Sequence, residues 1–156
     1  MIEPGEFDEG CRDDGQEREA AEGLLRAGVV YVLLGSGARE LEEFFRDWQR
    51  AHPDRVGVYL GFHNELAHKI EAGADMFLMP SRYEPCGLNQ IYSLKYGTVP
   101  IVRATGGLDD TVEPFDPATR SGNGFKFVEY RADHLLAALE RALEIYADPP
   151  LWRACM

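Results

Sequence analysis

Ser81-Arg82-Tyr83-Glu84-Pro85-Cys86-Gly87-Leu88-Asn89-Gln90 joins an apolar run to a helical one, and the manner of the join decides the fold. The residues before it, Ala74-Asp75-Met76-Phe77-Leu78-Met79, have the length and continuous apolarity of a strand buried on both faces, as in a parallel sheet. Asn89 to Tyr96 after it reads as a helix. The join therefore falls where open α/β sheets place ligands, in the crevice beyond the carboxyl ends of the strands. Pro85 presets its own φ, and Gly87 lets the backbone come close to a ligand, so the amides of Cys86, Gly87 and Leu88 can point together at the helix N-terminus. Such a nest suits an anion. Glu84 beside it would repel phosphate unless it faced another part of the ligand, such as sugar hydroxyls, and the combination suggests a nucleotide sugar.

Outward from this join, apolar runs alternate with helical patterns, the signature of a parallel α/β sheet with right-handed crossovers. Val29 to Leu34 predicts a strand ending at Gly35-Ser36-Gly37. Arg39 to Ala51, with Leu41, Phe44, Phe45 and Trp48 at helical spacing, predicts an amphipathic helix whose aromatic stripe is core. Val56 to Leu60 is the next strand, and Asn64 is expected to cap a helix over Glu65 to Ala72. After the central join come a strand at Val99 to Val102, a glycine turn at Gly106-Gly107 and a last helix across Ala132 to Ala147. Residues 16 to 27 read as the helix before the first strand. Gly35-Ser36-Gly37 lacks the third glycine and the downstream acidic residue of a dinucleotide fingerprint, so it reads as a strand-to-helix turn.

The 156 residues suffice for one compact domain with a real core, and 45% hydrophobic content is ordinary for a soluble globular protein. The net charge of −11 is concentrated at the start: residues 1–22 contribute −7 of it. This sign argues against nucleic acid as a partner, because phosphate backbones call for a basic footprint. Residues 1–15, rich in Glu, Asp and Gly, read as a disordered acidic leader, and 16–156 as a single domain. No segment is apolar for long enough to span a membrane, and the N-terminus lacks the basic and apolar regions of a signal peptide, so a cytoplasmic protein is expected. Cys11, Cys86 and Cys155 are odd in number and lack metal-site spacing, which predicts free thiols. Asp109-Asp110 and Glu113 read as a solvated helix or loop, with no metal expected.

Ala72 to Pro80 running into the central join, followed by Tyr96-Gly97-Thr98-Val99-Pro100-Ile101-Val102-Arg103-Ala104-Thr105-Gly106-Gly107-Leu108, resembles the C-terminal domain of bacterial glycogen synthases and plant starch synthases. These are retaining glucosyltransferases built from two facing Rossmann-like domains, the GT-B arrangement. The resemblance covers roughly residues 24 to 153. It implies an α/β fold, a Rossmann-like parallel sheet flanked by helices that forms the C-terminal, nucleotide-sugar-binding half of a GT-B fold, truncated at both ends.

Residue by residue, the resemblance makes Glu84 the first glutamate of the E-x7-E motif of retaining GT-B enzymes, placed to hold the transferred glucose. A carboxylate capping the following helix is the structural alternative. The second motif position falls on Tyr92, a departure that is normal within this branch, and Tyr92 is expected beside the ribose. Cys86, Gly87, Leu88 and Asn89 are expected at the sugar and diphosphate through the backbone of the join. Thr105, Gly106 and Gly107 are expected near the distal phosphate, with a plain loop as the alternative. Phe62, following Gly61 at a strand end, matches an aromatic that stacks on adenine, and a buried packing role stands equally open. His63 and His68 read as structural histidines.

The implied reaction moves glucose from ADP-glucose, with UDP-glucose the lesser candidate, to the non-reducing 4-hydroxyl of an α-1,4-glucan with retention. No cofactor or metal is implied beyond the substrate. The glucan would be met through an N-terminal domain, and the Arg and Lys that clamp the diphosphate would lie upstream of residue 24. The isolated chain is therefore expected to be inactive and to bind nucleotide weakly. A non-catalytic binding or interaction module that keeps the fold is the competing reading, and a UDP-sugar GT-B transferase is a closer rival.

Overall fold

In the computed structural model residues 14–156 are described, and their elements follow one another as an α/β chain. They are α1 (Asp14–Arg26), β1 (Tyr31–Gly35), α2 (Arg39–Ala51), β2 (Val56–Leu60), α3 (Asn64–Gly73) and β3 (Met76–Met79). Then come α4 (Asn89–Tyr96), β4 (Val99–Arg103), α5 (Gly106–Thr111), β5 (Phe125–Phe127), α6 (Ala132–Tyr146) and α7 (Pro149–Cys155). All strand pairings between these elements are parallel, as expected, but they form two sheets: β1 with β2, and β3-β4-β5 with β4 in the middle.

One core spans both sheets. It joins Val56 and Trp48 on the side of the first sheet to Val99, Ile101, Phe125 and Phe127 of the second. Leu135, Ala138, Leu139 and Ala142 of α6 enter it from one helical face, and Trp152 and Cys155 of α7 close it. Burial pushes the Cys155 thiol up to about 11, which leaves it inert. On the opposite face of the second sheet a smaller cluster gathers Phe77, Met79, Val102, Leu108 and Val112. Strand alternation produces this division, since Ile101 and Val102 are neighbours that point to opposite faces. The smaller cluster is the floor beneath the turns that leave β3 and β4.

Pro100 occupies the central strand, where proline is normally excluded. Val99 N–H donates to Asp75 O on the β3 side, so alternation turns the nitrogen of Pro100 toward β5. Pairing with β5 starts only at Ile101 and Phe125, so the missing donor costs no ladder bond. Gly97 ends α4 at φ 81° in the left-handed region, the C-terminal glycine that the Tyr96-Gly97 boundary requires.

Several expectations need correction. The leader assigned to residues 1–15 lies outside the described residues except for Asp14 and Gly15, which already belong to α1. The cap of α3 is His63, whose Nδ1 accepts from Leu66 N–H at 3.1 Å, and Asn64 is the first helical residue. The glycine turn expected at Gly106-Gly107 is the first turn of α5. β5, three residues long, and α7, seven long, are too short for periodicity to reveal. The strand-to-helix turn expected at Gly35-Ser36-Gly37 does join β1 to α2, although Gly35 is still the last residue of β1, and Gly37 N–H is held by Glu42 Oε1 at 3.3 Å. Cys86 and Cys155 are free thiols, whereas Cys11 lies outside the described residues.

Candidate functional site

Two turns make the site, one after β3 and one after β4. In the first, Glu84 is half-buried and its Oε1 accepts from Gly87 N–H at 3.0 Å. The carboxylate thus steadies the turn entering α4, which is the capping alternative, and it also occupies one of the three amides expected to face a ligand. Gly87 adopts φ 64°, in the left-handed region that glycine enters without a Cβ penalty. Pro85, Cys86 and Leu88 are exposed, and Asn89 is buried at the first position of α4.

The second turn is pressed against the first. Gly107 N–H donates to Glu84 O at 3.1 Å. A Cβ at Gly106 would overlap the Glu84 carbonyl oxygen, and one at Gly107 would overlap the Cys86 carbonyl oxygen. Gly106 also sits at φ 45°. Two glycines are therefore required by close backbone approach, a demand on residue type that a plain loop would not make. Thr105, half-buried and extended, occupies the N-cap of α5 without a side-chain capping bond. Arg103 reaches from the end of β4 to Arg82 O in the first turn and to Val128 O at 3.0 Å, fastening both flanks.

Behind the turns lie residues that sequence reading did not single out. Gln90, 0% exposed, directs Nε2 at Cys86 O, Gly87 O and Thr111 Oγ1, at 3.2, 3.0 and 3.2 Å. Thr111 Oγ1 donates to Gly107 O at 2.6 Å. The available signal was spacing: Gln90 stands three and four residues after Gly87 and Cys86, one helical turn away. Asp109, weighed as a metal ligand, instead accepts from Lys126 Nζ at 2.7 Å.

Tyr92 lies two residues further along α4, partly exposed, with its ring edge-on to His68 at 5.6 Å between centroids. Tyr96 also meets His68, its hydroxyl 3.4 Å from Nδ1. Beneath them Glu71 is 1% exposed, and Oε2 is 3.5 Å from His68 Nδ1. Burial pushes the Glu71 carboxyl above the usual range, opposed by the adjacent imidazole. His68 is thus engaged structurally, as expected. Phe62 stands apart: it follows β2, in the other sheet, and is 81% exposed, so a buried packing role does not apply.

Turns at the carboxyl ends of parallel strands, one of them carrying a carboxylate, form the kind of crevice in which open α/β sheets hold ligands, and relatives of this chain give its class. Across residues 18–150 the chain matches glycosyl transferases group 1, and it belongs to that family. It is 55% identical over 139 residues to the glycogen synthase of Koribacter versatilis (strain Ellin345), covering 89% of this chain and 29% of that protein. It is 58% identical over 133 residues to the glycogen synthase of Anaeromyxobacter sp. (strain Fw109-5), covering 85% of this chain and 28% of that protein. The chain thus spans under a third of the length of these curated relatives. Among solved structures, the catalytic domain of starch synthase IV from Arabidopsis thaliana, bound to ADP and acarbose, superposes with a TM-score of 0.79 at 34% identity. That match covers 89% of this chain and 30% of the other. The sucrose-phosphate synthase of Thermosynechococcus elongatus superposes at 0.65 with 25% identity, over 99% of this chain and 37% of its own. The likeness is therefore stronger toward the glycogen and starch synthases than toward the sucrose-linked enzyme.

Proposed function

We propose that this chain is the nucleotide-sugar-binding part of a glycogen or starch synthase, taking ADP-glucose and delivering glucose to the 4-hydroxyl of an α-1,4-glucan with retention. The observation that carries the reading is the locked pair of turns, in which two glycines bring the backbone after β4 against the Glu84 and Cys86 carbonyls. It is supported by the identity to glycogen synthases through this region and by a structural neighbour solved with ADP.

In this reading Glu84 holds the transferred glucose, and the backbone at Cys86, Gly87, Leu88 and Asn89 meets sugar and diphosphate. Thr105, Gly106 and Gly107 line the distal phosphate, Tyr92 touches the ribose and Phe62 stacks on the base. The exposure of Phe62 leaves its ring face open to such a partner. Catalysis is mainly positioning, with electrostatic stabilisation of the departing diphosphate and of the oxocarbenium-like glucosyl group near the Glu84 carboxylate. No metal or other cofactor takes part. The glucan meets regions of the relatives that these residues do not span, so the 156 residues alone bind donor weakly without turning it over. The setting is cytoplasmic; among the described residues no helix is long and apolar enough to cross a membrane.

Calorimetric titration with ADP, ADP-glucose and UDP-glucose tests this. Base stacking is worth about 1–3 kcal/mol, so Phe62→Ala should weaken ADP and ADP-glucose alike by roughly tenfold. Glu84→Ala should weaken ADP-glucose while sparing ADP. A folded sample that binds none of the three would overturn the proposal in favour of a non-catalytic module, and preference for UDP-glucose would move it to a UDP-sugar transferase.

A further inference from the structure

Gln90 is placed in the interior at a cost. Its Oε1 is buried without a hydrogen-bond partner among the described residues, whereas Leu or Met would fill the same space and leave no acceptor unpaired. The donor end therefore accounts for the amide. Nε2 addresses Cys86 O and Gly87 O, and reaches Thr111 Oγ1, whose own proton goes to Gly107 O. A peptide unit is planar, so fixing a carbonyl fixes the N–H on its other side. Holding Cys86 O orients Gly87 N–H, the group that grips Glu84 Oε1 at 3.0 Å. Holding Gly87 O orients Leu88 N–H, and holding Gly107 O orients Leu108 N–H.

We propose that Gln90, with Thr111 as its relay, is the positioning residue for Glu84: it sets the Cys86–Gly87 peptide plane that aims the carboxylate and ties that plane to the glycine turn after β4. The proposal rests on the donor-binding reading for its consequence in affinity, but the aiming of Glu84 is independent of it. Gln90 touches no ligand in this scheme. Its role passes through the peptide to the carboxylate.

Two measurements on the 156-residue chain decide it. The first is the Gly87 amide proton shift by NMR, with and without Glu84→Gln. In the unaltered background Glu84→Gln should move the shift, and in Gln90→Met, folded by circular dichroism, that response should disappear. Thr111→Val should diminish it and Thr111→Ser should restore it, which keeps the claim testable if Gln90→Met does not fold. The second is ADP-glucose binding against ADP binding. Gln90→Met should lose about tenfold in ADP-glucose affinity and clearly less in ADP affinity, and adding Glu84→Ala should cost almost nothing more of the difference between the two ligands, because Gln90 and Glu84 act as one unit. An unchanged response of Gly87 to Glu84→Gln in folded Gln90→Met, or additive losses in the double variant, would overturn the inference. Absence of any nucleotide binding by the unaltered chain would instead count against the proposed function, and the Gly87 signal would still judge Gln90.

Discussion

Gly107 shows how narrowly a single position can be specified. Its absent side chain is what lets the backbone after β4 lie on the Cys86 carbonyl, and the collision of an added methyl is with backbone, which cannot rotate away. Gly107→Ala should therefore destabilise by about 3 kcal/mol, the upper end for overpacking, as read from chemical denaturation. Glu71 presents the opposite case, a charge where the fold would sooner have none. Its carboxyl is raised by burial, so the folded state favours the protonated form, and the penalty appears as pH climbs through the folded value and is absent below the ordinary carboxylate range. Glu71→Gln should then match the unaltered protein near pH 4 and exceed it in stability at pH 8, by on the order of 1 kcal/mol, in thermal melts across that range. Glu84 and the two glycines were legible because their residue types are unusual where they stand. Gln90 and Thr111 were not, since a polar residue early in a helix reads as solvated until the tertiary contacts bury it.

At the scale of elements, α2, β2 and α4 begin and end where periodicity and the glycine at 97 place them. Boundaries decided by a side chain's aim were harder. Asn64 is a residue type that caps prefer and His63 is not, and only the β-region conformation of His63, with its ring turned to Leu66 N–H, makes the histidine the cap. Short elements were missed for a different reason. β5 exists because Ile101, Val102 and Arg103 offer a free strand edge, and α7 because Trp152 packs edge-on to Tyr146 at 5.0 Å. Neither cause is local to the element. α7 does carry one local signal: Asp148 Oδ1 accepts from Leu151 N–H at 3.1 Å, ahead of prolines in the first turn. Asp148→Ala should cost about 1 kcal/mol, seen as a lowered denaturation midpoint with unchanged slope.

Over the whole molecule, the parallel α/β character follows from apolar runs alternating with helical ones, but the division into two sheets does not. The sequence pattern marks β1 to β4 as strands, and hydrogen-bond pairing between β1 and the second sheet depends on spacing that no single run encodes. The shared core nonetheless makes the two sheets one unit. Ile101, 0% exposed at its centre, should cost about 2–5 kcal/mol when cut to alanine. Trp48 and Trp152 sit in that core on α2 and α7, so each, kept as the sole tryptophan, should report the same unfolding transition.

The interlocked turns carry a consequence for motion. Because neither Gly106 nor Gly107 has space for so much as a methyl group, the turn after β4 cannot swing without carrying the one after β3. Amide hydrogen exchange at Gly87 and Gly107 should accordingly share a single opening event. The two turns thus behave as a single rigid body on the apolar cluster beneath them.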